Sequence, residues 1–184
     1  VDEQGKPVST QLVLDVKGKE WTKLTGTLKP DKDVKRGMLA IQPLGKGQFQ
    51  LDVVSLFPSD TWDNGKSVFR ADIMQNLKEY APDFIRFPGG CIVEGTDIAS
   101  RYDWKKSVGM VENRPLNENR WQYTFPHRFF PDYYQSYGLG FYEFFQLSEE
   151  IGAEPLPVLS CGLACQFQNP NMDAHVPLCD LADT

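Results

Sequence analysis

The pattern of hydrophobic and polar positions changes character near residue 58. Before that point, short apolar runs alternate with glycine, lysine, aspartate and proline, which predicts a series of short β-strands. The predicted strands are 11–16, 22–28, 37–43 and 48–56. Strands at this spacing are typical of an all-β jelly-roll sandwich, but four of them are too few to close a two-sheet core. We therefore expect either part of such a sandwich or a small accessory sheet beside the next domain.

Beyond the turn-rich segment 58–65, the apolar period changes from two to 3.6, so a domain boundary is predicted near residue 57. Ser67 is placed to cap a helix that Pro82 ends. The apolar positions of this predicted helix are Phe69, Ile73, Leu77 and Tyr80. Their spacing predicts one helix face directed toward a core.

A second predicted helix runs over 139–151, with Gly152 as the residue that ends it. Apolar runs at 83–87 and 154–160 follow the two helices and predict strands, the first of them covered on both faces. Helix, strand, long loop, helix and strand is the order of a parallel α/β sheet. The pattern therefore predicts part of a (β/α)8 barrel or of a doubly wound sheet.

The end of the first of these strands combines a charge with bare backbone. Arg86 lies one residue before the end of the strand, and Pro88 cannot donate a hydrogen bond to a sheet. Gly89 and Gly90 permit backbone angles and close approaches that side chains forbid. Such a strand end predicts a binding site lined by an arginine and exposed amides.

The segment 88–138 that follows is about fifty residues long, where connections in compact domains are usually a handful. It leaves the carboxyl end of a strand, which is where barrel enzymes place their sites. Its polar and aromatic candidates are Glu94, Asp97, Arg101, Asp103, Trp104, Arg114, Asn117, Trp121 and His127. The length of the segment indicates a functional loop rather than a simple connection.

Composition narrows the class of partner. The net charge of −6 leaves no basic face to neutralise phosphates, so nucleic acid is not an expected ligand. No apolar run approaches the length of a bilayer span, so no membrane span is expected. Aromatic residues make up 12% of the chain and cluster between Trp104 and Phe145. Flat rings suit the apolar C–H faces of sugars, although most of these rings are expected to fill a core.

An ordered series of motifs resembles one enzyme family. The motifs are RFPGGCIVEG at 86–95, RYDWKKSVG at 101–109, Asn113-Arg114-Pro115, LGFYEFFQ at 139–146 and GAEPLPVL at 152–159. Together they resemble the α-L-arabinofuranosidases of glycoside hydrolase family 51, over residues 58 to about 180. This resemblance selects the barrel, so 58–184 is expected to be the N-terminal part of a (β/α)8 catalytic barrel.

The first part of the chain has a resemblance of its own. Residues 21–26 and 49–56 resemble the later strands of carbohydrate-binding modules of the family 4/9 type. This implies that 1–57 is the C-terminal part of a β-sandwich carbohydrate-binding module. The fold expected for the whole chain is thus part of a jelly roll followed by part of a barrel.

The family resemblance implies roles for three residues. Arg86 and Cys91 fall on positions that line the arabinofuranose pocket at subsite −1, and Trp121 falls on an aromatic wall beside it. A guanidinium can orient a carboxylate while it donates to a sugar hydroxyl. The acid/base and nucleophile glutamates of the family follow motifs that do not occur before Thr184, so both are expected beyond that residue. The loop carboxylates of Glu94, Asp97 and Asp103 are accordingly not assigned to catalysis.

The implied activity is retaining hydrolysis of terminal α-L-arabinofuranosyl residues of arabinan or arabinoxylan, without a cofactor. Expected partners are an arabinose-containing glycan and the remainder of the same polypeptide, with an oligomer left open. The implied location of the full-length protein is secreted or periplasmic. Two alternatives stay open: a non-catalytic sugar-binding or structural fragment, and a related barrel glycosidase that acts as a xylosidase or endoglucanase.

One further set of residues has metal-ligand chemistry. Its four members are Cys161, Cys165, His175 and Cys179. Zinc prefers such ligands, but the C-x3-C spacing is not that of the usual zinc knuckle and the first cysteine ends a predicted strand. No metal site is therefore expected, and free thiols are the default. A disulfide within the set is the alternative for an exported protein.

Overall fold

The computed structural model of the protein describes residues 1–121 and 134–165. The chain divides into two compact units, Val1–Asp52 and Val53–Thr184, which are described separately below. Among the described residues, no helix combines the length and the apolarity that a membrane span requires.

The first unit differs from the predicted row of strands. Its described backbone contains no strand, and a single antiparallel bridge joins Ser9 to Pro30. Apolar side chains of the predicted strands lie in solvent: Val16 is 68% exposed and Ile41 is 53% exposed. A sheet is stable only when another layer covers its apolar face, and the described residues of this unit include no such layer. The jelly-roll prediction is therefore not confirmed.

The second unit mixes helices and strands. Its helices are Trp62–Gly65 (α1), Ala71–Tyr80 (α2), Cys91–Glu94 (α3) and Phe141–Ile151 (α4), with 3-10 turns at Trp104–Ser107 and Val111–Asn113. Its strands are Phe84–Phe87 (β1), Asn117–Glu118 (β2), Tyr134–Gln135 (β3) and Glu154–Pro157 (β4). β1 pairs with β4 in parallel, in a register that places Arg86 opposite Leu156. β2 and β3 form a small antiparallel pair. The predicted parallel pairing of the two main strands is confirmed.

Helix α2 begins later than the sequence predicts. Ser67 lies before the helix, where its hydroxyl accepts a hydrogen bond from the amide of Phe69 at 3.3 Å. Arg70 is extended and bridges to Thr61, so the helix starts at Ala71. Met74 is the fully buried residue of α2, whereas the predicted core position Tyr80 is 80% exposed. The early part of the predicted helix was wrong because the backbone of 67–70 instead bonds to the turn around α1.

Helix α4 agrees closely with its prediction. It ends at Ile151, and Gly152 adopts the predicted left-handed conformation with φ 78° and ψ 28°. The side chains of Phe141 and Ile151 are buried. Phe145, at 43% exposure, lies at the edge of the predicted apolar side. The helix thus packs one face against strands β1 and β4.

Strand β1 contributes one side chain to an aromatic core. Phe87 is 1% exposed, and its ring stacks on Phe144 with centroids 5.0 Å apart. The buried members of this core are Phe87, Tyr102, Tyr137 and Phe141. Phe84 and Arg86 are exposed, so the expectation of a strand covered on both faces is wrong for the described residues. A separate apolar cluster of Met74, Ile151 and Ala153 joins α2 to α4.

The buried Tyr137 of the aromatic core is expected to make the protein less stable at alkaline pH. Burial, with a smaller contribution from the nearby Tyr102, raises the pKa of Tyr137 from 10.0 to about 12. The pKa of Tyr137 is higher in the folded state than in the unfolded state. Its contribution to the free energy of unfolding is therefore complete below pH 10 and is lost as the pH rises toward 12. We expect the free energy of unfolding to fall by on the order of 2 kcal/mol over this range. Denaturant unfolding at several pH values measures it, and Tyr137→Phe is expected to flatten the slope.

Candidate functional site

The candidate site lies at the carboxyl ends of the two parallel strands. The pairing continues one residue beyond them, where the amide of Val158 donates to the carbonyl of Phe87 at 2.7 Å. The segments 88–95 and 158–165 therefore leave the sheet at the same edge. Ligands of parallel α/β sheets bind at this edge, because loops with free polar groups meet there.

Arg86 reaches this edge from strand β1. Its side chain is exposed, and a Cβ atom added to Gly90 would lie 3.5 Å from its Nη2 atom. The guanidinium thus lies beside the bare backbone of the glycine pair. Within 1–121 and 134–165, its N–H groups have no hydrogen-bond or ion-pair partner.

Cys91 begins the short helix α3 directly after the glycine pair. Its thiol is free and exposed. Gly89 has φ +150°, and a Cβ atom there would lie 3.1 Å from Cγ2 of Ile92, so a side chain would be strained and crowded. The glycines therefore let the chain turn sharply from β1 into α3. As a result, Arg86 and Cys91 flank Gly90.

The loop after α3 is closed by its own hydrogen bonds. Gly95 has φ +70°, and a Cβ atom there would lie 2.6 Å from the amide nitrogen of Arg101. The carboxylate of Asp97 accepts from the amide of Ser100 at 2.8 Å. Asp103 accepts from the amide of Lys105 and pairs with Lys106 at 3.7 Å. The carboxylates of Asp97 and Asp103 thus hold the loop, which agrees with their not being assigned to catalysis.

Sequence reasoning missed Arg120, which is only 8% exposed. Its Nε atom lies 3.4 Å from Oε1 of Glu94, and its Nη2 atom lies 3.2 Å from Sγ of Cys165. Its guanidinium carbon lies 4.6 Å from the ring centroid of Trp121. We call these four residues the Arg120 cluster. Because Glu94 and Cys165 lie 26 and 45 residues from Arg120 in sequence, no motif or spacing could have revealed the cluster.

Trp121 is half-buried and ends the first described stretch of the chain. Its amide donates to Oδ1 of Asn119 at 2.9 Å. Through Arg120 and Glu94 it is linked to helix α3, which Cys91 begins. The three predicted binding residues therefore belong to segments that meet at one edge of the sheet: Arg86 and Cys91 lie around Gly90, and Trp121 is joined to them by the Arg120 cluster.

A buried ion pair anchors the long loop to helix α4. Arg114 donates from Nη2 to Oε1 of Glu143 at 2.7 Å and from Nη1 to Oε2 at 2.9 Å. Arg114 also donates to the carbonyl oxygens of Gly109 and Tyr137. Burial on its own raises the pKa of Glu143, but the hydrogen bonds from Arg114 and from the Gly140 amide outweigh it and hold the pKa below 4.5. The pair is structural, since its oxygens are already occupied.

The possible metal ligands give no site in the described part of the chain. Cys161 is exposed, Cys165 is buried, and both have free thiols. His175 and Cys179 lie outside the described residues. Within the stretches that the structure describes, no three histidine, cysteine, aspartate or glutamate side chains come together as metal ligands. The zinc alternative therefore has no support in the described residues.

Comparison with known proteins points to one family. The model of the α-L-arabinofuranosidase 1 domain matches residues 76–183. The chain is 38% identical over 164 residues to an extracellular exo-α-L-arabinofuranosidase of Streptomyces chartreusis, covering 83% of this chain and 18% of that one. It is 36% identical over 146 residues to α-L-arabinofuranosidase 1 of Arabidopsis thaliana, covering 79% and 20%. The chain thus spans about a fifth of the length of the curated relatives it matches.

Two solved structures show partial overlap. An arabinose-bound GH51 α-L-arabinofuranosidase matches 61% of this chain and 16% of its own, at 31% identity and a TM-score of 0.47. An arabinose complex of the α-L-arabinofuranosidase of Thermotoga maritima matches 53% and 17%, at 26% identity and a TM-score of 0.42. The family model, in contrast, covers more than half of the 184 residues. The chain therefore belongs to the α-L-arabinofuranosidase family.

Proposed function

We propose that this chain is part of a retaining α-L-arabinofuranosidase of glycoside hydrolase family 51. The complete protein removes terminal α-L-arabinofuranosyl residues from arabinan or arabinoxylan. The observation that carries this proposal is the position of Arg86, whose guanidinium lies beside the bare backbone of Gly90 at the carboxyl end of a parallel strand pair. Such an edge offers charged and amide donors to the hydroxyl groups of one sugar ring.

Residues 58–184 are proposed to be the first part of a (β/α)8 barrel. Support comes from the parallel pairing of β1 with β4 and from helix α4, which precedes β4 and packs against both strands. A barrel repeats this strand and helix unit eight times. The proposed carbohydrate-binding module over 1–57 rests on sequence resemblance alone.

In the proposed pocket, Arg86 and Cys91 contact the arabinofuranosyl ring and Trp121 forms a wall beside it. A retaining glycosidase needs two carboxyl groups about 5–5.5 Å apart, one as acid/base and one as nucleophile. The described carboxylates of this edge are engaged elsewhere: Glu94 with Arg120, and Asp97 and Asp103 with backbone amides. We therefore assign both reacting glutamates to the polypeptide beyond this chain, with Arg86 placed to orient one of them. No cofactor takes part in this chemistry.

We propose that the full-length protein is secreted or periplasmic. The Streptomyces relative is named as an extracellular enzyme. Arabinan and arabinoxylan are polymers too large to enter a cell intact, so an enzyme that acts on their termini meets them in the exterior or in a periplasm. The proposed partner is thus an arabinose-containing polysaccharide or oligosaccharide.

Substrate profiling of the full-length protein tests the proposed activity. We expect hydrolysis of 4-nitrophenyl α-L-arabinofuranoside, with kcat/KM at least about 100-fold above that for the matching β-D-xyloside, since a pocket built to hydrogen-bond one sugar rejects others strongly. Release of arabinose with retained anomeric configuration, followed by NMR, checks the mechanism. A preference for xyloside or for internal β-glucan bonds would favour the related barrel glycosidase instead.

The isolated 184-residue chain provides a second, separate test. Because both reacting glutamates are assigned elsewhere, we expect it to release no arabinose from the nitrophenyl substrate. Turnover by this chain alone would show that the assignment is wrong and that carboxylates such as Glu94 or Asp97 perform the reaction. A full-length protein that is also inactive would favour a sugar-binding or structural role.

A further inference from the structure

We infer that Arg120 is a further ligand-binding residue, whose Nη1 group donates a hydrogen bond to a neutral oxygen of the saccharide bound beside Trp121. This inference rests on the proposed function, because it requires a sugar at the carboxyl end of the β1 and β4 pair. It adds to the pocket a residue that neither motif nor resemblance assigns.

The first argument is the hydrogen-bond inventory of the guanidinium. The side chain of Arg120 is 10% exposed, yet its Nη1 atom has no hydrogen-bond partner among the described residues. The Nε and Nη2 atoms do have partners, which are Glu94 and the weak acceptor Cys165. A buried charged group with unsatisfied N–H bonds is costly, so proteins normally supply an acceptor. A bound ligand is one source of such an acceptor.

The second argument is position. Glu94 lies three residues after Cys91 on helix α3, and residues at this spacing are neighbours on one helix face. Glu94 thus places the guanidinium of Arg120 one helical turn from a residue assigned to the sugar pocket. The guanidinium also lies over the ring of Trp121, which is assigned to the pocket wall. Arg120 therefore lies between two predicted contacts of the same ligand.

The third argument concerns the chemistry of the acceptor. Glu94 is 31% exposed and lies 3.4 Å from Nε, so the positive charge of Arg120 already has a counter-ion. An anionic ligand group would be repelled by that carboxylate, whereas a hydroxyl or ring oxygen would not. A neutral saccharide offers such oxygens on every ring. The bonds of Nε and Nη2 and the position over the Trp121 ring hold the guanidinium in place, which pre-orients Nη1 and limits the entropy lost on binding.

Binding by two variants of the full-length protein tests the inference. In Arg120→Met and Arg120→Lys, we expect the competitive inhibition constant for L-arabinose and the KM for 4-nitrophenyl α-L-arabinofuranoside to rise about tenfold or more, the usual effect of losing a charged hydrogen bond. Lysine keeps the cation beside Glu94 and so protects the fold, but its ammonium cannot bond Glu94 and the ligand with the fork geometry of arginine. Arg70→Met, which changes an exposed arginine at the start of α2, is the matched control and is expected to leave both constants unchanged.

The outcomes separate a ligand contact from a structural role. A raised inhibition constant in Arg120→Lys at an unchanged thermal midpoint supports the contact. Inhibition constants within twofold of wild type in a folded variant would overturn the inference. It would also be overturned if KM rose only in a variant whose thermal midpoint fell, and if Arg120→Lys had the KM of wild type. A wild-type protein that neither binds L-arabinose nor cleaves the substrate would overturn the proposed function itself. That result differs from the one that overturns only the inference, in which the wild type is active and the Arg120 variants have the same constants.

Discussion

Replacing Glu143 by glutamine is expected to lower the free energy of unfolding by about 3 to 5 kcal/mol, the usual effect of leaving one member of a buried ion pair without its partner. The Arg114 side chain is 2% exposed and that of Glu143 is 8% exposed. Water therefore cannot solvate the charge of Arg114 once the carboxylate is removed. The carboxylate also accepts from the amide of Gly140 at 2.7 Å, so the substitution disturbs the start of α4 as well. Urea unfolding, followed by circular dichroism, measures the change.

The matched control for this prediction is Glu149→Gln, which changes an exposed glutamate on the same helix and is expected to shift stability by less than about 0.5 kcal/mol. The pH dependence gives an independent check. Because the folded-state pKa of Glu143 is lowered, its contribution is present above pH 4.5 and is lost as the pH falls through the lower folded-state value. Wild type is expected to lose stability over that acid range, and Glu143→Gln is expected to lose less. Equal stability of wild type and Glu143→Gln at neutral pH would contradict the claim that the ion pair of Arg114 and Glu143 stabilises the fold.

Replacing Arg86 by alanine is expected to lower the kcat/KM of the full-length protein for 4-nitrophenyl α-L-arabinofuranoside by about 100- to 1000-fold, the usual cost of removing one pre-oriented donor from an active site. The fold should persist, since the side chain is exposed and its N–H groups have no partner among the described residues. Steady-state kinetics measure the loss, and a thermal melt checks the fold. Added guanidinium ion is expected to restore part of the activity by entering the vacated position.

The control for Arg86 is Arg70→Ala, which removes an exposed arginine whose partner is the local Asp72. We expect it to retain wild-type kinetics. If Arg86→Ala instead kept its activity, the guanidinium would have no part in the reaction. A loss of activity accompanied by a lower thermal midpoint would assign Arg86 a structural role, opposite Leu156 in the strand pair.

The parts of the fold that the sequence predicted well are those with local causes. Helix α4 ends where Gly152 supplies a left-handed residue, and β1 ends where Pro88 and Gly89 interrupt the sheet. The start of α2 was misplaced because the capping potential of Ser67 is also satisfied in a turn, and only the bridge between Thr61 and Arg70 decides between the two.

The parts that could not be predicted depend on partners distant in sequence. Arg114 stands in a motif of the family resemblance, but its ion-pair partner Glu143 lies 29 residues further on. Arg120 is joined to Cys165 across 45 residues and to Glu94 across 26. In the first unit, alternating apolar residues indicated strands, yet alternation describes only one face of a sheet and not the layer that must cover it. Apolar side chains of the predicted strands, such as Val16 and Ile41, are exposed for that reason.

The central claim is that the carboxyl end of the β1 and β4 pair binds arabinofuranose. A crystal structure of the full-length protein with bound L-arabinose tests it most directly. The account predicts that the sugar lies within hydrogen-bond distance of the Arg86 guanidinium and beside Cys91, with the ring of Trp121 next to it. A sugar bound elsewhere, with no contact to any of these three residues, would contradict the account.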